Sequence, residues 1–344
     1  MARRSQAYWR KRAEQIARRQ FRTAEEYARE LVREYRRAMA SIERDLEVFY
    51  QRFADNNGIV SLAEAQRLLD AGELEEFKMT LEEFTAKAKD NADGRWTKIL
   101  DNVYFRTRVK RFDALQLQIQ HHVEMLMGAR QQGMRDLLGH IYSETYHRTL
   151  WEIHRGTGIA TDFSRITPRR LETVLNADFA GSNWSKRIWG DRDKLVRELR
   201  TTLAQGFIRG DSIDRMTKAL AERMNVSLSN AQRLVATETT FIVEQATLAG
   251  YRESGLVQEY EILATLDNRT SDICRQMDGK RFKLSEAEPG VTAPPFHANC
   301  RSTTVPYFPD EIDPGERIAK DAKGRTIMVP GDITYTEWQE RFLR

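Results

Sequence analysis

All eight prolines of this 344-residue chain lie at or after Pro168, so its first 167 residues contain no obligate helix breaker. Within that span Leu31, Tyr35, Ala38, Ile42 and Leu46 fall three or four apart, with Arg and Glu between them. That is the period of an amphipathic helix. Gly58, Gly72, Gly94 and the Gly156-x-Gly158 pair supply the expected breaks. The pattern predicts helices over about 7–54, 61–70, 73–92, 96–132 and 134–155.

Beyond Pro168 the pattern changes. Asn183–Trp189 follows a turn and predicts a short helix, with further helices over about 191–207, 212–224 and 227–253. Strands begin only near 258, where Glu259–Leu266 alternates β-branched and aromatic residues with polar ones. Residues 316–330 read as a hairpin around Lys323-Gly324, and 336–343 as a final short helix. The expected fold class is α+β: a long-helix N-terminal region followed by a helix-plus-small-β C-terminal domain. With 40% hydrophobic residues the chain can bury a substantial core, and its length suggests two or three domains. No apolar run approaches a membrane span, and the basic N-terminus lacks the apolar stretch of a secretory signal. Two cysteines argue against a disulfide scaffold and fit synthesis in a reducing cytosol.

Charge is concentrated at one end. Residues 1–22 carry Arg3, Arg4, Arg10, Lys11, Arg12, Arg18, Arg19 and Arg22 against Glu14 alone, a net of +7. The whole chain is +4, so residues 23–344 sum to −3. This segment reads as a basic arm: solvated, or able to contact nucleic-acid phosphates or an acidic protein partner.

Three candidates in the helical part have simpler readings than the chemistry they imitate. Asp55-Asn-Asn57-Gly58 with Glu64 is in register with the later part of a calcium loop, but position 1 would be Phe53. A helix end followed by a Ser61-x-x-Glu64 capping box explains the same residues. His140, His147 and His154 share a helix face with Glu144, yet no second Glu-x-x-His completes a di-metal bundle site. Trp151 on that face suggests a partly buried interface. Thr237-Glu238-Thr239-Thr240 is read as a helix-to-loop hydrogen-bonding set, with catalysis by Glu238 requiring a polarising partner.

The unusual chemistry is crowded into 266–308, which holds Cys274, His297 and Cys300. Four explanations are open. Zinc could use the three soft ligands with Asp267, Asp272 or water as a fourth. The two thiols could form a redox-labile disulfide. The loops could be purely structural, with Asp267 and Arg269 making turns and Gly279 supplying a positive φ. An enzyme could use Cys274 and His297 as nucleophile and base, although no orienting partner or oxyanion loop is evident.

The order of motifs here resembles a known family. Arg233-Leu-Val-Ala-Thr237-Glu238 leads to Asp267-x-Arg269-Thr270, then Cys274, Asp278-Gly279-Lys280-x-Phe282, and Pro294-Pro-x-His297-x-Asn299-Cys300-Arg301. This is similar to the Mu F / SPP1 gp7-like family of phage minor head proteins, over roughly 196–308. Many relatives carry Cys-x-x-Cys where this chain has Ser271-x-x-Cys274.

The resemblance implies a structural role for Arg233, Thr237, Glu238, Asp267, Arg269, Thr270, Asp278, Gly279, Asn299 and Arg301, with Glu238 orienting Arg269 or Arg301. The expected organisation is a basic arm (1–22), a helical region (23–158), a connecting segment (159–195), a Mu F-like domain (196–308) and a C-terminal hairpin with a short helix (309–344). The implied function is head morphogenesis in a tailed double-stranded-DNA phage or prophage. The protein would dock to the portal, meet scaffold and major capsid proteins, and contact packaged DNA non-specifically without a membrane. It would be assembled in the host cytoplasm and reside in the virion, inside the capsid or at the portal vertex. The chain is not expected to be an enzyme. The rivals are a metal-dependent hydrolase or nuclease at Cys274/His297/Cys300, and a stand-alone non-specific DNA-binding protein.

Overall fold

The computed structural model describes residues 4–57, 111–159, 165–209, 211–308, 316–321, 323, 325–330, 333 and 335–342. The helices expected at 61–70 and 73–92, the start of that at 96–132, the calcium-loop candidate from Gly58 onward, Arg3 and Gly324 lie outside these residues. The helices are α1 (Gln6–Asn57), α2 (Arg111–Thr157), α3 (Pro168–Leu175), α4 (Trp184–Arg209), α5 (Ile213–Ser254), α6 (Asp272–Met277) and α7 (Tyr335–Phe342). The strands are β1 (Glu259–Leu263), β2 (Arg281–Lys283), β3 (Thr303–Tyr307), β4 (Glu316–Lys320) and β5 (Thr326–Pro330). The α+β class expected from the sequence is what forms.

The helices run longer than the breakpoints in the sequence suggest. One helix covers 111–157 where a break was expected near Gly133, because that glycine accommodates the Tyr27 ring rather than ending the helix. A Cβ there would meet the ring at 2.7 Å. Likewise α5 is continuous through 225–226, and the short helix expected around 183–189 is the first part of α4.

Two compact units form, and they cut across the linear segments read from the sequence. One comprises residues 1–29, 133–184 and 232–344; the other comprises 30–132 and 185–231. In the second unit, Leu31, Tyr35, Ile42 and Leu46 of α1 are buried along the predicted apolar face, whereas Ala38 is half-buried. Two pairs of buried polar groups meet across helices there, which lowers the cost of burying them. Arg192 meets Glu124 at 3.1 Å with both side chains out of water, and Tyr35 shares a 2.9 Å hydrogen bond with Ser227.

The first unit carries the sheets. β1 is central in the order β2-β1-β3 and pairs antiparallel on both sides, with Glu261 opposite Arg281 and Val305. The core beneath it joins Tyr260, Ile262 and Leu263 of β1 to Leu248 and Tyr251 of α5, Ile153 of α2 and Phe308. It also contains Trp9, whose ring lies 5.2 Å from that of Phe308. The expected hairpin pairs β4 with β5, and its Ala319 and Val329 pack with Leu266, Ile333 and Trp338.

Residues 6–22 are therefore no separate arm: they belong to α1. Arg10 is the clearest correction to the expectation of a nucleic-acid or portal contact. Its Nε and Nη2 donate to Glu261 at 2.9 and 2.7 Å, and both side chains are buried. Arg12 meets Glu152 at 3.3 Å and Arg19 meets Glu144 at 3.7 Å. On the histidine face His140 and His147 are surface residues, and Trp151 is 54% exposed, so the aromatic marks no buried interface among the described residues.

Candidate functional site

The site grows from the ends of β1 and from one face of α5. After Leu263, the Ala264 amide donates to Asp278 Oδ1 at 2.8 Å, and the Gly279 amide donates to the Ile262 carbonyl at 2.9 Å. Gly279 has φ +76°, a conformation that costs a residue without Cβ little. Between these ties, Asp267 Oδ1 accepts the Arg269 amide at 2.9 Å and the Thr270 hydroxyl at 3.2 Å, closing the turn. Ser271 then caps α6 by accepting the Cys274 amide at 3.3 Å, which directs the Cys274 side chain inward.

The second loop is clamped by α5. Thr237 donates its hydroxyl proton to the Arg233 carbonyl at 2.8 Å and accepts the Asn299 amide at 3.0 Å. Asn299 sits at φ +61°, a region where asparagine is better tolerated than most side chains. Three residues on, the Thr240 hydroxyl donates to the Cys300 carbonyl at 2.5 Å. Four further on, Glu244 Oε1 accepts the Thr304 hydroxyl at 2.6 Å. Spacing of three and four keeps these side chains on one helical face, which thus holds 299–304 along its length. Glu238, between the two threonines, is buried.

Arg301 links the two loops. Its Nη1 and Nη2 meet Asp267 Oδ2 and Oδ1 at 2.5 and 2.7 Å, a bidentate pair. Burial pushes the Asp267 carboxyl up, but the Arg301 hydrogen bonds and charge outweigh it and hold the group below its ordinary value. Arg269 stands apart, with its side chain 78% exposed and Nη2 3.9 Å from Asp267.

Both loops converge on Cys274, His297 and Cys300. The two sulfurs are 3.6 Å apart and unbonded, where a disulfide needs about 2.05 Å. His297 Nε2 lies 3.1 Å from Cys274 Sγ and 2.7 Å from Ser271 Oγ. Among the described residues this is the group whose ligand atoms stand within 4.8 Å of one another. The hydrogen bond from Cys300 holds the Cys274 thiol down, to about 5, against the opposing effect of burial. Cys300 is pushed up for the reciprocal reason.

These distances suit zinc. Bond lengths of about 2.3 Å to sulfur at tetrahedral angles put two thiolates about 3.8 Å apart. The soft donor set fits too, since one thiol already favours the anionic form. Asp267 and Asp272, considered from the sequence as a fourth ligand, turn elsewhere: Asp267 to Arg301, and Asp272 to Arg275 at 3.1 Å. The Ser271 hydroxyl lies beside the group, 2.7 Å from His297 Nε2. As a nucleophile–base pair the same atoms are less complete, because His297 Nδ1 faces the carbonyl of Ala298 at 2.7 Å rather than a carboxylate.

Sequence reasoning missed Glu244 and Glu261. Glu244 is fully buried and burial raises its pKa to about 8, against the Thr304 hydrogen bonds. Its spacing of seven from Thr237 was the available signal.

Comparison with known proteins places this geometry in context. Residues 197–305, which enclose the whole cluster, match the family described as Phage Mu protein F like protein. Minor head protein GP7 of Bacillus phage SPP1 is 23% identical over 296 residues, covering 81% of this chain and 93% of that protein. NAD(+)--arginine ADP-ribosyltransferase EFV of Enterococcus faecalis is 25% identical over 208 residues, 56% of this chain. The chain spans only 41% of that second relative's length. No solved structure matches.

Proposed function

We propose that this chain, a Mu F-like phage minor head protein, docks to the portal during head morphogenesis and contacts packaged DNA. The observation that carries this reading is the match across 93% of a protein named for its place in the phage head. Such a protein belongs to the virion and associates with other head components. The finer placement, in the capsid interior or at the portal vertex after assembly in the host cytoplasm, is part of the proposal, as are contacts with scaffold and major capsid protein. No helix among the described residues is long and apolar enough to cross a membrane.

The geometry supports recruitment by a rigid module. The Thr237 and Thr240 clamps and the Asp267–Arg301 pair fix loops that would otherwise move, so docking sacrifices little conformational entropy. Zinc held by Cys274, His297 and Cys300 would add a further cross-link between the same loops. These residues supply structure in this reading, not turnover.

The test is co-purification of the full chain with the portal protein of its own phage. Retention at physiological salt is the expected result, and absence of the chain from both the portal complex and purified virions would refute the assignment.

A second reading rests on the 3.1 Å contact between Cys274 and His297: hydrolysis, with or without metal. It requires His297→Ala to abolish a measurable nuclease or esterase activity while the fold persists. A stand-alone DNA binder would instead show nanomolar affinity with a steep salt slope and no affinity for the portal.

A further inference from the structure

A cleft of about 320 Å³ opens between residues 14–25 of α1 and the loop that follows β1. Arg18 and Arg22 line its helical wall, while Arg269 and Arg301 line the facing loop. Resting on the proposed contact with packaged DNA, we infer that this cleft is the oxyanion site that takes a phosphodiester of the duplex backbone.

The arginines of this unit divide by use. Arg10, Arg12 and Arg19 are paired with Glu261, Glu152 and Glu144. Arg301 is committed to Asp267 in both directions. Arg18 and Arg22, four residues apart and therefore on one side of α1, make no ion pair among the described residues, and both are exposed. Arg269 keeps 78% of its side chain in water and reaches Asp267 only at 3.9 Å. Three guanidiniums on two walls of one cleft thus remain able to take an external anion.

Carboxylates are present as well, and they limit what the cleft accepts. Glu14, Glu25 and Asp267 line it with the four arginines. Asp267 is neutralised by Arg301, and the three available cations outnumber the remaining carboxylates, Glu14 and Glu25. That balance admits a singly charged oxyanion. Guanidinium forks match a phosphodiester in shape and donate two hydrogen bonds at once, which a point charge such as lysine does not. The cleft also explains how a helix whose first arginines are internal can still present its basic character to DNA.

The experiment uses the full chain, a fluorescent 20-base-pair duplex and anisotropy across a salt series. The Arg18→Gln/Arg22→Gln pair is compared with Arg36→Gln/Arg37→Gln, exposed on the same helix outside the cleft and carrying the same change in charge. The cleft pair is expected to weaken binding roughly tenfold and flatten the salt slope by about 2, with less than a twofold effect from the control. Arg269→Gln should add to the loss, and thermal melting should be unchanged in every variant. Equal losses in the two pairs, or none in the cleft pair, overturn the assignment while leaving DNA contact intact. A wild-type chain that ignores duplex at low salt overturns the DNA-contact reading itself. Preference for poly-glutamate, lost in the cleft pair, would overturn the phosphodiester and make the ligand an acidic protein segment.

Discussion

Arg10 and Glu261, 251 residues apart in sequence, meet at 2.7 Å with side chains only 9% and 2% exposed. The pair fastens the start of α1 to the central strand of the sheet, and Arg281 approaches the other carboxylate oxygen at 3.6 Å. A buried charge deprived of its partner is costly. Arg10→Ala is expected to destabilise this unit by roughly 3–5 kcal/mol, read as a lower midpoint in urea. Deleting residues 1–22 removes Arg10 and the buried Trp9 together. That truncated chain should lose cooperative unfolding by circular dichroism, so it cannot serve as a test of what the basic residues bind. A truncated chain with an unchanged melt would show that α1 begins outside the core.

Trp9 also decides what Gly156 can become. A Cβ at Gly156 would lie 2.2 Å from the Trp9 ring, whereas one at Gly128 on the same helix would meet nothing within 4 Å. Gly156→Ala is expected to cost about 1–3 kcal/mol through overpacking. Gly128→Ala should raise stability by up to about 1 kcal/mol through helix propensity alone. Opposite shifts in melting temperature check the pair, and two stabilising results would place Trp9 elsewhere.

What was legible in the sequence follows from what is local. The absence of proline before Pro168 and the Leu31–Leu46 spacing foretold long helices because both signals act within a few turns. Gly133 and Gly156 misled or hinted ambiguously, since a glycine chosen for ring contact is indistinguishable in sequence from a helix end. The cysteine–histidine cluster was legible because its residue types are rare in this chain and recur within two short loops. The destination of Arg10 was not. Summing charge over residues 1–22 counts cations without their partners, and Glu261 carries no local mark of the helix it binds. Tyr8-Trp9 within that basic run was the overlooked apolar clue.

Glu244 should make stability depend on pH in a defined window. Its carboxyl is raised from 4.5 to about 8 in the folded protein by burial. A raised acid pKa means the folded state holds the proton more tightly, so this contribution is complete below about 4.5 and lost as pH rises through about 8. Each tenfold gain in proton affinity corresponds to about 1.4 kcal/mol, giving a loss on the order of 5 kcal/mol between those two limits. Glu244→Gln keeps the acceptor for Thr304 and removes the titration. The variant should gain on the wild type steadily across that range in denaturant titrations. A constant difference at all pH values would mean that Glu244 ionises normally.

Ser271 supplies the sharpest test of the metal proposal. Its hydroxyl caps α6 and stands 2.7 Å from His297 Nε2, beside the three candidate ligands. Serine is a poor zinc donor, which leaves two cysteines and one histidine as the effective set. Purified under reducing conditions, the wild-type chain is expected to bind one zinc that a chromophoric chelator strips readily. Ser271→Cys completes a Cys₃His set and should slow that release by at least about tenfold while raising the melting temperature of the zinc-loaded protein. His297→Ala should abolish stoichiometric zinc without unfolding the chain, because Thr237, Thr240 and the Asp267–Arg301 pair still hold the loops. If Ser271→Cys and the wild type release zinc alike, or neither binds it, the cluster is a packed thiol pair and the loops rely on hydrogen bonds alone.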